Sequence, residues 1–136
     1  MRYEDKGDTK MAKRILIVDD VEYNLAFESK VITAFMSENH VDIDVDIASS
    51  VAEALGMIEE NEPYDAMIID MNLPDGSGVE IAKAALKKSE QTRIAALTIY
   101  PSKYEDQKAF FDLYLRKPIM PSDYKASFAR LLKLDR

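Results

Sequence analysis

The residues Ala66, Met67, Ile68 and Ile69 form an apolar run without polar alternation, and the run ends on a carboxylate, Asp70. A strand with one solvated face alternates. A run like this one predicts burial on both faces, as in a parallel sheet covered by helices on either side. Asp70 cannot join that packing without a large desolvation cost, so it is expected at the open carboxyl end of the strand, where Leu73-Pro74-Asp75-Gly76 turns the chain away. Ligand sites in sheets of this kind gather at that edge.

The same pattern occurs earlier. Arg14-Ile15-Leu16-Ile17-Val18 reads as a second buried strand, and it also ends in acid, Asp19-Asp20. Leu25, Ile32, Phe35 and Met36 then fall near one face of a helix that starts at Val21 and ends near Asn39. Val41 to Ala48 alternates apolar and acidic residues, the pattern of a half-exposed edge strand. Ser50-Val51-Ala52-Glu53 has capping-box spacing and opens a helix with the stripe Val51, Ala54, Leu55 and Ile58, which Pro63 closes. Val79, Ala82, Ala85 and Leu86 mark a third helix, and Arg93 to Ile99 a fourth strand. A short helix is expected from Ser102 to about Ala109, and a fifth strand over Asp112 to Arg116, just before Lys117-Pro118. The last helix starts near Pro121 with Ser122 as its cap, and carries Tyr124, Phe128, Leu131 and Leu132 as its stripe. Five strands alternating with five helices over short connections predict right-handed crossovers and a doubly wound α/β fold, a (βα)5 sandwich. Residues 1–12 are polar and aperiodic and are expected to form a flexible leader, with the folded domain spanning 13–136.

Composition narrows the function classes. A chain of 136 residues suits one domain with a sizeable core, and the absence of cysteine excludes disulfides, thiolate ligands and cysteine nucleophiles. The net charge of −7 argues against direct nucleic-acid binding. No stretch approaches the roughly 18 consecutive apolar residues of a membrane helix, and the first residues lack the apolar centre of a signal peptide, so a cytoplasmic protein without membrane contact is expected. His40, the single histidine, lies in a polar connection and reads as ordinary loop chemistry.

The polar residues of interest all fall at carboxyl ends of strands: Asp19 and Asp20 after the first, Asp70 after the third, Thr98 after the fourth, Lys117 after the fifth. An isolated aspartate at a strand end is usually a cap or a turn former. Independent capping, however, would not be expected to collect acid, acid, hydroxyl and ammonium on one edge behind apolar runs. Three carboxylates brought together repel one another, and one lysine cannot neutralise them, so the site calls for a divalent cation. All-oxygen ligation favours Mg²⁺ or Mn²⁺, held by Asp20, Asp70 and a backbone carbonyl in the turn after Asp70.

The acid pair in ILIVDD, the aspartate in IIDMNLPDGSG, the threonine in ALT and the lysine in YLRKP together resemble the receiver domain of two-component response regulators, in order and spacing, over about Lys13 to Leu134. The resemblance implies a flavodoxin-like five-stranded parallel sheet of strand order 2-1-3-4-5. It further implies that Asp70 is the phosphoacceptor, taking a phosphoryl group from a phosphohistidine on a histidine kinase or histidine phosphotransferase. Asp20 would hold Mg²⁺ directly and Asp19 through water, with the Asn72 backbone carbonyl completing the set. Lys117 and the Thr98 hydroxyl would pair with phosphoryl oxygens, Tyr114 would turn inward with Thr98 as the switch, and a cis Lys117-Pro118 peptide would aim the ammonium into the site.

The chain departs from the family pattern at Ile99, where a small residue is common; with Asn72 and Tyr100 it is expected to modulate access to Asp70. Phe110-Phe111 replaces a small pair and is expected mainly in the core. Seven of the 12 aromatics lie between Tyr100 and Phe128, a region expected to dock a downstream protein or a second receiver, with Tyr124 and Phe128 read as core. The reading is a phosphorylatable signalling switch and not an enzyme with a turned-over substrate. One rival is a receiver-fold binding module regulated without phosphorylation. The other is a phosphatase of the haloacid-dehalogenase type, whose Asp-x-Asp arrangement differs from the adjacent acids here. No output segment is expected after Leu134, so output would run through protein contact, unless the chain is part of a longer protein.

Overall fold

The computed structural model describes residues 12–99, 109–118 and 120–132. The expected leader apart from residue 12, the expected short helix apart from Ala109, and Tyr100 and Tyr104 lie outside the described residues. In chain order the elements are β1 (Lys13–Val18), α1 (Glu22–Glu38), β2 (Ile43–Ala48), α2 (Val51–Glu60), β3 (Ala66–Asp70), β4 (Asn72–Leu73), β5 (Gly76–Ser77), α3 (Gly78–Lys88), β6 (Arg93–Thr98), β7 (Leu113–Arg116) and α4 (Pro121–Leu131).

The five long strands form one parallel sheet in the order β2-β1-β3-β6-β7, which is the expected 2-1-3-4-5 once the short β4–β5 hairpin is set aside. Every residue of β3 is buried, as the uninterrupted apolar run requires. On one face Leu16, Val18, Met67 and Ile69 pack with Ala54, Ile58, Ile81 and Ala85 of α2 and α3. On the other, Ile15, Ile17 and Ile68 pack with Leu25, Ile32 and Met36 of α1 and with Tyr124 and Phe128 of α4. Alternate side chains of each central strand thus feed opposite layers, the geometry of a three-layer α/β fold.

The α2 helix is tied down at both ends by charged side chains from elsewhere. The Asp75 carboxylate accepts from the N–H groups of Val51 (2.8 Å) and Ala52 (3.0 Å). At the other end, the Lys88 ammonium donates to the carbonyls of Ile58 (2.6 Å), Glu59 (3.2 Å) and Asn61. Acid at the first turn and ammonium at the last both complement the helix dipole and satisfy backbone groups that the helix leaves open.

Several local expectations are corrected. The α1 stripe is Leu25, Glu28, Ile32 and Met36; Phe35 is half-buried, and an acid occupies the position between Leu25 and Ile32. In α3 the buried set includes Ile81, while Val79 and Leu86 pack at the margin. Ser122 does not cap α4: Met120 is the cap residue, and Pro121 opens the helix because its missing N–H leaves no donor to satisfy there. The capping box at α2 is displaced by one residue on its return arm. Ser50 Oγ accepts from Glu53 N–H (3.1 Å), but Glu53 accepts from Ser49 N–H (2.7 Å) and Ser49 Oγ (2.9 Å) instead of from Ser50. The core reading of Phe111, Tyr124 and Phe128, by contrast, holds, since all three are buried, while Phe110 and Tyr114 are half-buried.

Candidate functional site

The parallel register brings the strand ends to one level. Val18 lies opposite Ile69, so Asp19 and Asp70 leave their strands side by side. Thr98 lies opposite Arg116, and the Lys117 N–H donates to the Thr98 carbonyl (3.0 Å), so the hydroxyl residue and the lysine emerge together on the other flank.

Asp19 is wholly buried, with 0% of its surface exposed. Its Oδ1 accepts from Val21 N–H (2.9 Å) and its Oδ2 from Asn24 Nδ2 (3.4 Å), which anchors it to the start of α1. Asp20 is exposed beside it. Asp70 is only 2% exposed, so the expectation that it would stay clear of the packing is corrected. Burial is tolerated because Oδ1 accepts from Asn72 N–H (3.0 Å) and Oδ2 meets Lys117 Nζ at 3.0 Å. Desolvation nevertheless dominates and holds the Asp70 carboxyl above its ordinary range, with the Asp19 charge adding to the rise and Asn72 and Lys117 opposing it.

Asp19, Asp20 and Asp70 each offer an oxygen, and the three lie within 4.8 Å of one another. Among the described residues, three carboxylates against one ammonium leave excess negative charge, and the donors are all hard oxygens; the set fits a divalent cation of the Mg²⁺ class. Asn72, which is expected to lend a carbonyl, begins the hairpin of β4 and β5, in which Asn72 pairs with Ser77 and Leu73 with Gly76. Ser77 Oγ caps α3 by accepting from Val79 N–H (3.1 Å). Gly78 then lets the helix start against the end of β3: a Cβ there would stand 2.7 Å from Ile69 Cγ2 and 3.0 Å from the Asp70 carbonyl oxygen.

The Lys117-Pro118 peptide is cis. Beside it a cavity of about 430 Å³ is lined by Tyr23, Asn24, Phe27, Glu28, Ile99 and Lys117, among others. Ile99 is 42% exposed and forms part of this rim, next to the lysine. Tyr114 lies on β7 with its ring centroid 5.7 Å from that of Phe111, on the α2–α3 side of the sheet. Asp19, Asp20, Asp70 and Lys117 therefore converge, Thr98 shares their edge, and Tyr100 lies outside the described residues.

Glu28 was not among the expected site residues. It is 3% exposed and accepts a hydrogen bond of 2.8 Å from the Tyr124 hydroxyl, itself buried. Burial lifts its carboxyl to about 7; the Tyr124 bond and the Lys117 charge oppose the rise, and the charges of Asp19 and Asp70 add to it. The signal for it was present in the spacing, since Glu28 falls three residues after Leu25 and four before Ile32, inside the buried stripe.

Comparison with known proteins gives one family and many structural relatives. Residues 15–128 match the family model described as the response regulator receiver domain. The chain is 27% identical over 132 residues to hybrid signal transduction histidine kinase L of Dictyostelium discoideum, a match that covers 90% of this chain and 7% of the kinase. Among solved structures, a CheY-like response regulator receiver domain protein of Methanospirillum hungatei is 29% identical, with a TM-score of 0.76 over 91% of this chain and 96% of that one. The response regulator protein TrrA of Thermotoga maritima, solved in complex with Mg²⁺ and BeF, is 31% identical with a TM-score of 0.68, over 88% of this chain and 99% of that one. Among the described residues, no helix is long and apolar enough to cross a membrane.

Proposed function

The chain belongs to the response regulator receiver domain family, and from that premise we propose that it is a phosphoacceptor switch of a two-component or phosphorelay system. The observation that carries this reading is the convergence of three carboxylates within 4.8 Å, with Lys117 Nζ 3.0 Å from the buried carboxylate of Asp70. An Asp70 oxygen attacks phosphorus in line. The P–N bond of a phosphohistidine on a histidine kinase or histidine phosphotransferase breaks, the imidazole leaves with the electron pair, and an acyl phosphate forms. Lys117 shifts from the carboxylate to a phosphoryl oxygen, and the Thr98 hydroxyl donates to another. Such transfer is mainly positioning plus cancellation of charge on the equatorial oxygens.

Asp20, Asp70 and the Asn72 carbonyl would hold Mg²⁺ directly, and Asp19 would hold it through water. A bound Mg²⁺ supplies the positive charge that lets the phosphoryl group approach three carboxylates. The product adds a dianion, which draws Thr98 inward and biases Tyr114 of β7, altering the surface offered to a downstream protein or a second receiver. The phosphoryl group is gained and lost at one residue, without turnover of a separate substrate.

The direct test uses beryllofluoride, which mimics the phosphoryl group. Wild-type protein is expected to bind it in an Mg²⁺-dependent manner, read as chemical-shift changes at Thr98 and Tyr114; no binding in saturating Mg²⁺ would refute the phosphoacceptor reading. Ile99 stands at the rim by Lys117, where a bulky side chain restricts entry of donor and water. Ile99→Ala is therefore expected to raise severalfold both the rate of phosphorylation by acetyl phosphate and the rate of phosphoryl loss. Unchanged rates would remove Ile99 from access control.

A further inference from the structure

The loop after Asp70 has an anchor that the phosphoacceptor reading does not use. Its hairpin leaves the site at Asn72, turns at Pro74-Asp75, and returns through Gly76 and Ser77 to α3. At the near end it is tied to the nucleophile by Asn72 N–H on Asp70 Oδ1 (3.0 Å). At the far end the Asp75 carboxylate holds Val51 N–H and Ala52 N–H of α2 at 2.8 and 3.0 Å. Gly76 follows in a conformation (φ +155°) that side-chain-bearing residues rarely adopt, and a Cβ there would lie 2.9 Å from Glu80 Oε2.

We infer that Asp75 is a positioning residue for the cation: by pinning the hairpin tip to the start of α2 it holds the Asn72 carbonyl in place beside Asp20 and Asp70. The inference rests on the proposed Mg²⁺ site. Two residue pairs make the whole ladder of this hairpin, too few to be stable alone, so its orientation depends on what its tip is bonded to. A free tip would let the strand carrying Asn72 pivot about Asp70. Both Asp75 oxygens are used in the contact, which marks it as a two-point clamp and not a chance surface bond. The helix end in turn receives acid where its dipole favours it.

The test separates positioning from general loosening of α2. Two other variants disturb the same helix without touching the hairpin. Ser50→Ala removes the bond from Glu53 N–H at its start, and Lys88→Ala removes the ammonium from the carbonyls at its end. All of them, with Asp75→Ala, are expected to lower the melting temperature by a few degrees, about 3–6 °C. Mg²⁺ affinity, measured by calorimetry on the full chain, is expected to fall about tenfold in Asp75→Ala alone, the range for residues that orient metal ligands. Asp75→Asn, which keeps one acceptor, is expected to lie between wild type and Asp75→Ala, and serves if the alanine variant does not fold. An unchanged Kd in Asp75→Ala overturns the inference, as does an equal weakening in Ser50→Ala and Lys88→Ala. If wild-type protein binds no Mg²⁺, the cation site itself is refuted and the inference falls with it.

Discussion

Asp70→Asn is expected to abolish phosphoryl acceptance and, in metal-free buffer, to make the fold more stable. The first effect is loss of the nucleophile: an amide cannot form the acyl phosphate, and incorporation of label from a phosphohistidine donor should drop by at least the order of 10³-fold. The second follows from the environment. Asp70 is buried beside a second buried acid, Asp19, with Lys117 as its ion-pair partner, and its carboxyl is held above its ordinary range; the folded state therefore resists its charge. An asparagine of nearly the same shape keeps an acceptor for Asn72 N–H and carries no charge. Lys117, released from its partner, is exposed enough for water to solvate the ammonium. The gain should be about 1–3 kcal/mol in urea unfolding with EDTA at pH 8. Retained labelling would refute Asp70 as acceptor, and a less stable variant would refute the account of its charge. A site that gains stability when its nucleophile is removed is carrying functional strain in electrostatic form.

Glu28 is expected to make the metal-free protein lose stability as pH rises through neutrality. In the unfolded chain the group ionises near 4.5, whereas in the folded protein burial lifts it to about 7. Between these values the folded state retains a proton that the unfolded state has released, so the free energy of unfolding falls with increasing pH. The stability is fully present below about 4.5 and lost above about 7, a difference of about 3 kcal/mol. The charged and titratable groups acting on Glu28 are Tyr124 of α4, Asp19 after β1, Asp70 of β3 and Lys117 after β7. Asp70 is raised as well and contributes in the same direction, so some slope remains without Glu28. Glu28→Gln keeps an acceptor for the Tyr124 hydroxyl while removing the charge. Its stability relative to wild type should rise by about 2.5 kcal/mol between pH 5 and pH 8. The measurement is urea unfolding of both proteins from pH 5 to 8, and parallel profiles would contradict this role for Glu28.

These two acids illustrate what was legible beforehand. Asp70 stood out because a carboxylate ending an apolar run is a local contradiction visible in five consecutive residues. Glu28 did not, because a stripe is recognised by its apolar members, and the hydroxyl that makes its burial tolerable lies 96 residues away on another helix. Tyr124 and Phe128, by contrast, were legible as core because they fall on the stripe of the last helix, and both are buried with Ile15, Ile17 and Ile68. Caps were least legible, since Glu53 could reach the backbone of either Ser49 or Ser50, and loop geometry selected Ser49.

By itself, then, the amino-acid order determined the alternation of buried strands and amphipathic helices, the parallel sheet that this alternation demands, and the placing of Asp19, Asp20, Asp70, Thr98 and Lys117 at strand ends. Those are consequences of short-range pattern, because burial on both faces and the cost of interring charge act on neighbouring residues. Tertiary structure alone decided that Asp70 is buried and held by Lys117 and Asn72, that Glu28 is enclosed under Tyr124, and that Asp75 ties the hairpin to α2. Each of these pairs a charged or polar group with a partner brought up by another element, or by the turn of a loop, and the partner's arrival, which no local pattern encodes, sets whether burial is tolerated.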